Sequence, residues 1–302
     1  MSDLVLALDI GGTKIAAALV DADGRLVHRE QLPTPHGAAE TVWAVVDTLI
    51  GAALSAAGGA VLRGVGIGSA GPIDVPNGTI SPINIVGWQQ FPIVRRVADR
   101  TGLPVRLAGD VVCLAMGERW RGAAQGAQFV LGMVVSTGIG GGLILDGVPY
   151  VGRMGNAGHV GHIVVEPGGP LCACGGHGCV EAVASGPRMA RWAHEHGWSA
   201  PPEADAKALA QAAAEGDVVA LQAFARGADA IAAAIASAAA VCELDLVVVG
   251  GGVASAGEIL FGPLRERVAY YARLDFLRGL RVVPAELGGD AGLVGAAALF
   301  LE

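Results

Sequence analysis

Charge is scarce in this chain, and what there is leans acidic. Asp, Glu, Lys and Arg make up 16% of the 302 residues, with a net charge of −8 at neutral pH. Binding a phosphate backbone needs clustered Lys and Arg, so the composition argues against nucleic acid as the main partner. No secretory leader is expected either, since Met1-Ser2-Asp3 runs straight into a strand-like segment. Uninterrupted apolar runs are few. Residues 129–145 carry no charge, but Gly138, Gly140, Gly141 and Gly142 break them with a turn, and residues 230–242 are too short to span a bilayer and mostly alanine. No G-x-x-x-x-G-K-[ST] string occurs, so this is not a P-loop protein. There is no low-complexity tail and no long linker. The expectation is a soluble, cytoplasmic protein without membrane partners, in a reducing compartment that keeps thiolates available.

Hydrophobic residues, at 53% of the chain, can fill sizeable cores, and the length suggests two lobes. Short apolar runs at 4–8, 15–20 and 26–31 read as three successive strands, the last two joined by the Ala22-Asp23-Gly24 turn. Residues 41–57 have helical spacing, 65–67 form a buried strand, and 105–108 lead into a helix beginning near Asp110. A second hairpin is expected around the glycines between 129–135 and 143–145. From 181 to about 242 the chain is alanine-rich and helical. A strand at 246–249, a helix near 256–272, a strand at 280–283 and a final helix at 291–301 complete it. Two strand groups, each with its own Gly-rich turn, suggest two related lobes facing a cleft.

The chemistry-bearing residues fall on those turns. Asp9-Ile10-Gly11-Gly12-Thr13-Lys14 places an acid at a strand end, then glycines that let phosphate approach backbone N–H groups. Thr13 adds a hydroxyl donor, and Asp9 can orient a hydrated Mg²⁺. Ser136-Thr137-Gly138-Ile139-Gly140-Gly141-Gly142 offers a second such loop, and Gly250-Gly251-Gly252 a third, beside a nucleotide. Each alone fits an ordinary turn; three in this order favour a nucleotide cleft. His162, Cys172, Cys174 and Cys179, among Gly175, Gly176 and Gly178, have the donor types and tight turns of a closed tetrahedral zinc site. Three thiols leave one over in any disulfide scheme. Cys113 and Cys242 sit in apolar helical contexts as packing residues.

The order Asp9-Gly-Gly-Thr13, Asn84-Ile-Val-Gly-Trp88, Gly109-Asp110, Ser136-Thr-Gly-Ile-Gly140, Gly158-His159-x-Gly161-His162 and Cys-x-Cys-Gly-x-x-Gly-Cys resembles the ROK family over essentially the whole chain. That family comprises bacterial sugar kinases, open reading frames and repressors. The resemblance implies an α/β, actin-like ATPase (ribonuclease H-like) fold of two lobes around a central cleft. The smaller lobe would be residues 1–109, with the terminal helix 291–302 packed back on it, and the larger 110–290. It implies ATP and Mg²⁺ as cofactors, structural Zn²⁺, and a homodimer or dimer of dimers. Asp110 matches the general base for a sugar 6-hydroxyl, although a helix N-cap is an equally available role. Asn84 and Glu181 match sugar-binding positions, and His162 one that ligates zinc while facing the sugar. Two positions depart from the family: His159 stands where glutamate is usual, and Gly109 where asparagine is usual. Both would face the middle of the sugar ring, so the expected substrate is a hexose or a modified hexose, including amino sugars such as kanosamine. The rivals are a sugar-binding regulator, for whose DNA-binding helices Asp9 leaves no room, and a catalytically impaired relative.

Overall fold

A computed structural model describes residues 3–301; Met1, Ser2 and Glu302, on which the leader argument and the outer lobe bounds partly rest, lie outside the described residues. The chain opens with strands β1 (Leu4–Ile10), β2 (Lys14–Val20) and β3 (Leu26–Pro33), helix α1 (Ala39–Ala56) and strand β4 (Leu62–Ser69). A small hairpin of β5 (Ile73–Asp74) and β6 (Thr79–Ile80), helix α2 (Ile93–Thr101) and strand β7 (Val105–Gly109) follow, and α3 (Asp110–Arg121) leads onward. The strand scheme then starts again with β8 (Val130–Val135), β9 (Ile139–Leu145) and β10 (Val148–Tyr150). Helices α4 (Val180–Ala184), α5 (Gly186–Glu195), α6 (Ala206–Ala214) and α7 (Val218–Cys242) precede β11 (Leu246–Gly250), α8 (Glu258–Tyr271), β12 (Arg281–Pro284) and α9 (Ala291–Leu301).

The strands form two five-stranded sheets, ordered β3-β2-β1-β4-β7 and β10-β9-β8-β11-β12. Each is an antiparallel meander extended by two parallel strands. The same order, third-second-first-fourth-fifth, is thus used twice, which is the duplication the paired Gly-rich turns implied. Central strands β1, β4, β8 and β11 are nearly all buried. Their near-continuous apolar runs are those of strands covered on both faces.

Between the sheets lie α3 and α9. Helix α9 rests on β1, β2, β4 and β7, α3 on β8 and β9, and the two helices rest on each other. Their core joins residues of both sheets, including Val5, Ala7, Val130 and Val248. Close contact depends on glycine. A Cβ on Gly295 would lie 1.6 Å from the carbonyl oxygen of Cys113, and one on Gly117 2.4 Å from that of Ala291. Cys113 itself is fully buried there, as its packing role requires.

Two expectations are corrected. Gly140, Gly141 and Gly142 lie within β9, and the turn is confined to residues 136–138. A Cβ on Gly142 would sit 2.6 Å from the Val112 Cα, so these glycines serve close packing of the strand beneath α3. The apolar segment 230–242 is the end of the 25-residue α7, which begins where Asp217 accepts from the Ala220 N–H. By length and composition α7 and α1 could both cross a membrane. Each instead buries one stripe in a core, and α7 carries ion pairs from Arg226 to Glu166 and from Asp229 to Arg267.

Replacing a helix-interior glycine by alanine usually stabilises by up to about 1 kcal/mol. Gly295→Ala should do the opposite and destabilise by about 1–3 kcal/mol, because the carbonyl beneath it cannot move without displacing α3. Urea unfolding decides it; a variant as stable as the parent would mean that α3 and α9 are not in backbone contact.

Candidate active site between the two sheets

Parallel strands gather their carboxyl ends on one edge, where open α/β sheets bind ligands. In the first sheet Asp9 pairs in register with Gly68, and Gly68 with Ala108. Asp9 and Asp110 therefore stand on either side of Gly68, which puts no side chain between them, and the Asp110 charge is felt at Asp9. Burial, and secondly the Asp110 carboxylate, pushes the Asp9 carboxyl from 3.8 up to about 6, against the pull of Lys14 and Arg29. Burial also raises Asp110, opposed by the Val111 N–H and by His159. Asp110 opens α3, and its Oδ1 accepts from the Val111 N–H at 2.8 Å. The N-cap reading of Asp110 is corrected: Gly109 is the N-cap of α3, without a side-chain cap bond, and Asp110 is the first helical residue.

A cavity of about 430 Å³ spreads over this edge and is lined by Asn84, Gly109, Asp110, Gly138, His159, His162 and Glu181, among others. Asn84 reaches it on an exposed loop anchored by Trp88, which is buried, stacked on Phe91 at 4.2 Å and donates to the Ala39 carbonyl. The Gly11-Gly12 turn abuts the same loop, for a Cβ on Gly12 would fall 2.3 Å from the Asn84 Cβ. His159 and His162 flank a single 3-10 turn, so three residues per turn bring both rings to one side, with centroids 6.3 Å apart. The glycines of that motif permit close approach to β9: a Cβ on Gly161 would lie 1.8 Å from the Ile139 carbonyl oxygen. Glu181, on α4, accepts from the Ile139 N–H at 2.9 Å. That bond ties the α4 carboxylate to the Ser136–Gly138 turn.

The ligand atoms of His162, Cys172, Cys174 and Cys179 all lie within 4.8 Å of one another. His162 Nδ1 is 3.7 Å from the Cys172 sulfur, and the sulfurs of Cys174 and Cys179 are 3.7 Å apart. Tetrahedral bonds of about 2.3 Å place sulfurs roughly 3.8 Å from each other, so the arrangement fits one ion held by thiolates and an imidazole. His177 is exposed and turned to the Gly169 carbonyl, outside the cluster.

A second cavity, of about 770 Å³, shares Ser136 and Thr137 with the first and continues along Gly186, Pro187, Arg191, Lys207 and Gly252. Of the third glycine turn, Gly252 lines it. Gly250 ends β11, and Gly251 is pressed on the Val135 carbonyl, where a Cβ would lie at 2.5 Å. Asp9, Gly11, Gly12, Thr13 and Lys14 line neither cavity; Thr13 and Lys14 are exposed at the rim.

A sequence profile of the ROK family matches residues 5–302. The chain belongs to the ROK family. It is 38% identical to a glucokinase of Thermotoga maritima, over 99% of this chain and 97% of that one. An N-acetylmannosamine kinase of Yersinia pseudotuberculosis is 37% identical over 97% of this chain and 96% of its own. The crystal structure of a ROK family glucokinase from Streptomyces griseus in complex with glucose and AMPPNP superposes with a TM-score of 0.83 at 36% identity, covering 98% of this chain and 99% of that one. The two-sheet architecture is accordingly the actin-like ATPase fold. Sequence reasoning missed the far wall of this ROK chain's larger cavity. Its available signal was Ser185-Gly186-Pro187, a helix start after Glu181 whose Gly186 N–H donates to the Ser136 carbonyl.

Without bound metal or nucleotide, the Asp9 carboxyl should titrate near 6. Asp110→Asn should lower that midpoint, because a neighbouring negative charge is removed while burial remains. Carboxyl-carbon NMR would show it; an Asp9 midpoint unmoved by the substitution would separate the two groups.

Proposed function

We propose that this chain is an ATP-dependent sugar kinase, transferring the γ-phosphoryl group to the 6-hydroxyl of a hexose or modified hexose. The observation that carries the reading is the shared wall at Ser136–Thr137. There a cavity holding a buried carboxylate meets a second cavity large enough for a nucleoside. Phosphoryl transfer asks the protein mainly to position groups and stabilise charge. Asn84, His162 and Glu181 would hold the sugar, and Asp110 would accept the proton as the hydroxyl oxygen attacks phosphorus and the bond to the leaving ADP oxygen breaks. Backbone N–H groups of Gly12, Thr13, Thr137 and Gly138 would meet the phosphates, the Gly11 and Ser136 N–H groups being bonded within their own turns, with Gly252 beside the nucleoside. Mg²⁺ accompanying ATP would neutralise phosphate charge, and Asp9 would be the carboxylate to orient its water shell.

The middle of the sugar ring should set the preference. A Cβ on Gly109 would meet nothing nearer than 3.8 Å, and its φ of −65° suits any residue. Glycine there is demanded by neither space nor backbone, and its effect is extra room in the cavity. His159 Nδ1 lies 2.9 Å from the Asn156 carbonyl, to which only an N–H can bond, so a neutral ring presents Nε2 as an acceptor. An acceptor beside extra room suits a ring substituent that donates, and an amino sugar such as kanosamine is one candidate. We read the metal as structural Zn²⁺ that fixes the His162 ring through Nδ1 and leaves Nε2 for the sugar. We also read residues 1–109 with the terminal helix, and 110–290, as the two lobes that close on substrate. The acidic charge and family resemblance support a soluble cytoplasmic homodimer or dimer of dimers acting without nucleic acid or membrane.

A coupled assay over glucose, glucosamine, N-acetylmannosamine and kanosamine tests this. Wild type should turn over at least one of them, with a preference for a sugar altered mid-ring that His159→Glu/Gly109→Asn shifts towards glucose. Asp110→Asn should lower kcat roughly 10²–10⁴-fold. Asp110 must be ionised to accept a proton, and burial raises its carboxyl, so activity should begin to fall on acidification at a pH above the ordinary carboxylate range. Full activity in Asp110→Asn would place the base elsewhere.

Purified protein should carry about one zinc per chain. Cys174 is exposed, so Cys174→Ser should still fold, yet lose metal and bind sugar more weakly as the His162 loop relaxes. Elemental analysis that finds full zinc in the variant would remove Cys174 from the ligand set.

A further inference from the structure

The side chain of Asn156 does something the proposed chemistry does not use. Its Oδ1 accepts from the Ile73 N–H at 3.0 Å, and its Nδ2 donates to the Ile73 carbonyl at 2.7 Å. One side-chain amide thereby satisfies both backbone groups of a residue 83 positions away. Ile73 belongs to the small hairpin that follows the first sheet's β4, whereas Asn156 follows the second sheet's β10. The contact therefore crosses the cleft. It is reinforced beside it, where the Val75 N–H donates to the Met154 carbonyl at 3.0 Å. Gly155 lets the strands of chain approach: its φ is +101°, and a Cβ there would lie 2.6 Å from the Val75 side chain.

Both ends of this contact line the 430 Å³ cavity. On the first side, the Gly71 and Pro72 carbonyls accept from the Ile83 and Ser81 N–H groups, so the segment that holds Ile73 also holds the loop carrying Asn84. On the second side, the Asn156 carbonyl holds His159. The geometry points to Asn156 as an interlobe latch, a positioning residue that holds the Asn84 loop and the His159 turn against the same sugar. This rests on the kinase reading for its substrate, but the latch itself is a property of the fold. Opening of the cleft must break the pair of Asn156 bonds, and substrate contacts on both walls would favour their re-formation.

The test uses Asn156→Ala and Asn156→Asp in the full chain. Alanine removes both bonds. Aspartate keeps the acceptor for the Ile73 N–H but sets a carboxylate oxygen against the Ile73 carbonyl, so near neutral pH it should open the latch as well. In both variants the KM for the preferred sugar should rise roughly tenfold, the effect of one or two net hydrogen bonds. The KM for ATP should stay within about twofold, since Asn156 does not line the larger cavity. The second readout needs no substrate. Exchange of the Val75 amide, which does not touch Asn156, should quicken roughly tenfold as the lobes part. Unchanged Val75 exchange together with an unchanged sugar KM overturns the latch. A wild type inactive on every sugar would sink the kinase reading instead, and Val75 exchange alone would then decide the latch.

Discussion

Backbone contact between α3 and α9 is the constraint on which the rest of this molecule depends. Both sheets are built the same way and both point their strand ends at the cleft, but nothing in either sheet sets where the other lies. The two helices between them do. Gly295 and Gly117 let the helices touch through main-chain atoms, which leaves little freedom for sliding because interiors are packed as tightly as crystals. Asp110 is the first residue of α3, so its distance from Asp9 on the first sheet is inherited from that contact. At the other end of α3 the fully buried Glu118 accepts from the N–H groups of Ala123, Glu286 and Leu287. Its charge-assisted bonds tie the exit of α3 to the turn that leads into α9. Both passages of the chain from one sheet to the other are thus fastened to one carboxylate.

The site combines scarcity of charge with burial. Asp9 and Asp110 sit in a low-dielectric edge with few compensating cations, so both carboxyls are raised towards neutrality. A carboxylate raised in this way accepts a proton more readily than an exposed aspartate does. The same desolvation makes any phosphate, metal ion or sugar hydroxyl that enters interact more strongly than it would in water.

The metal-ligand loop extends this organisation to the second sheet. His162 and Glu181 bracket the three cysteines in sequence, and both line the 430 Å³ cavity. Glu181 also bonds the Ile139 N–H and lies 3.9 Å from the Cys172 sulfur. One carboxylate thereby joins the Cys/His cluster, the 430 Å³ cavity and the Ser136–Gly138 turn. A closed four-ligand cluster does no chemistry of its own, but it removes the freedom of an otherwise glycine-rich loop next to the groups that need placing.

Most strands and helices were legible because apolar runs, turn glycines and capping residues are local signals. The clustering of His162, Cys172, Cys174 and Cys179 was legible too, since donor type and spacing point to it nearly alone. The glycines of β9 were misplaced into a turn, because a glycine that admits a neighbouring helix looks the same in sequence as one that bends the chain. The start of α7 was hidden by the alanines of α6, which continue the composition across the break. Lys207 and Arg191 on the wall of the larger cavity, and Asn156 on the smaller, carry no local mark at all. By itself the sequence determined the two strand groups, their acid and glycine turns, and the donors for a metal. Only the tertiary structure decided that Asp9 and Asp110 stand on either side of Gly68, that two cavities share Ser136–Thr137, and that Asn156 reaches Ile73. Those are contacts between residues far apart along the chain, and their partners are chosen by how sheets and helices pack.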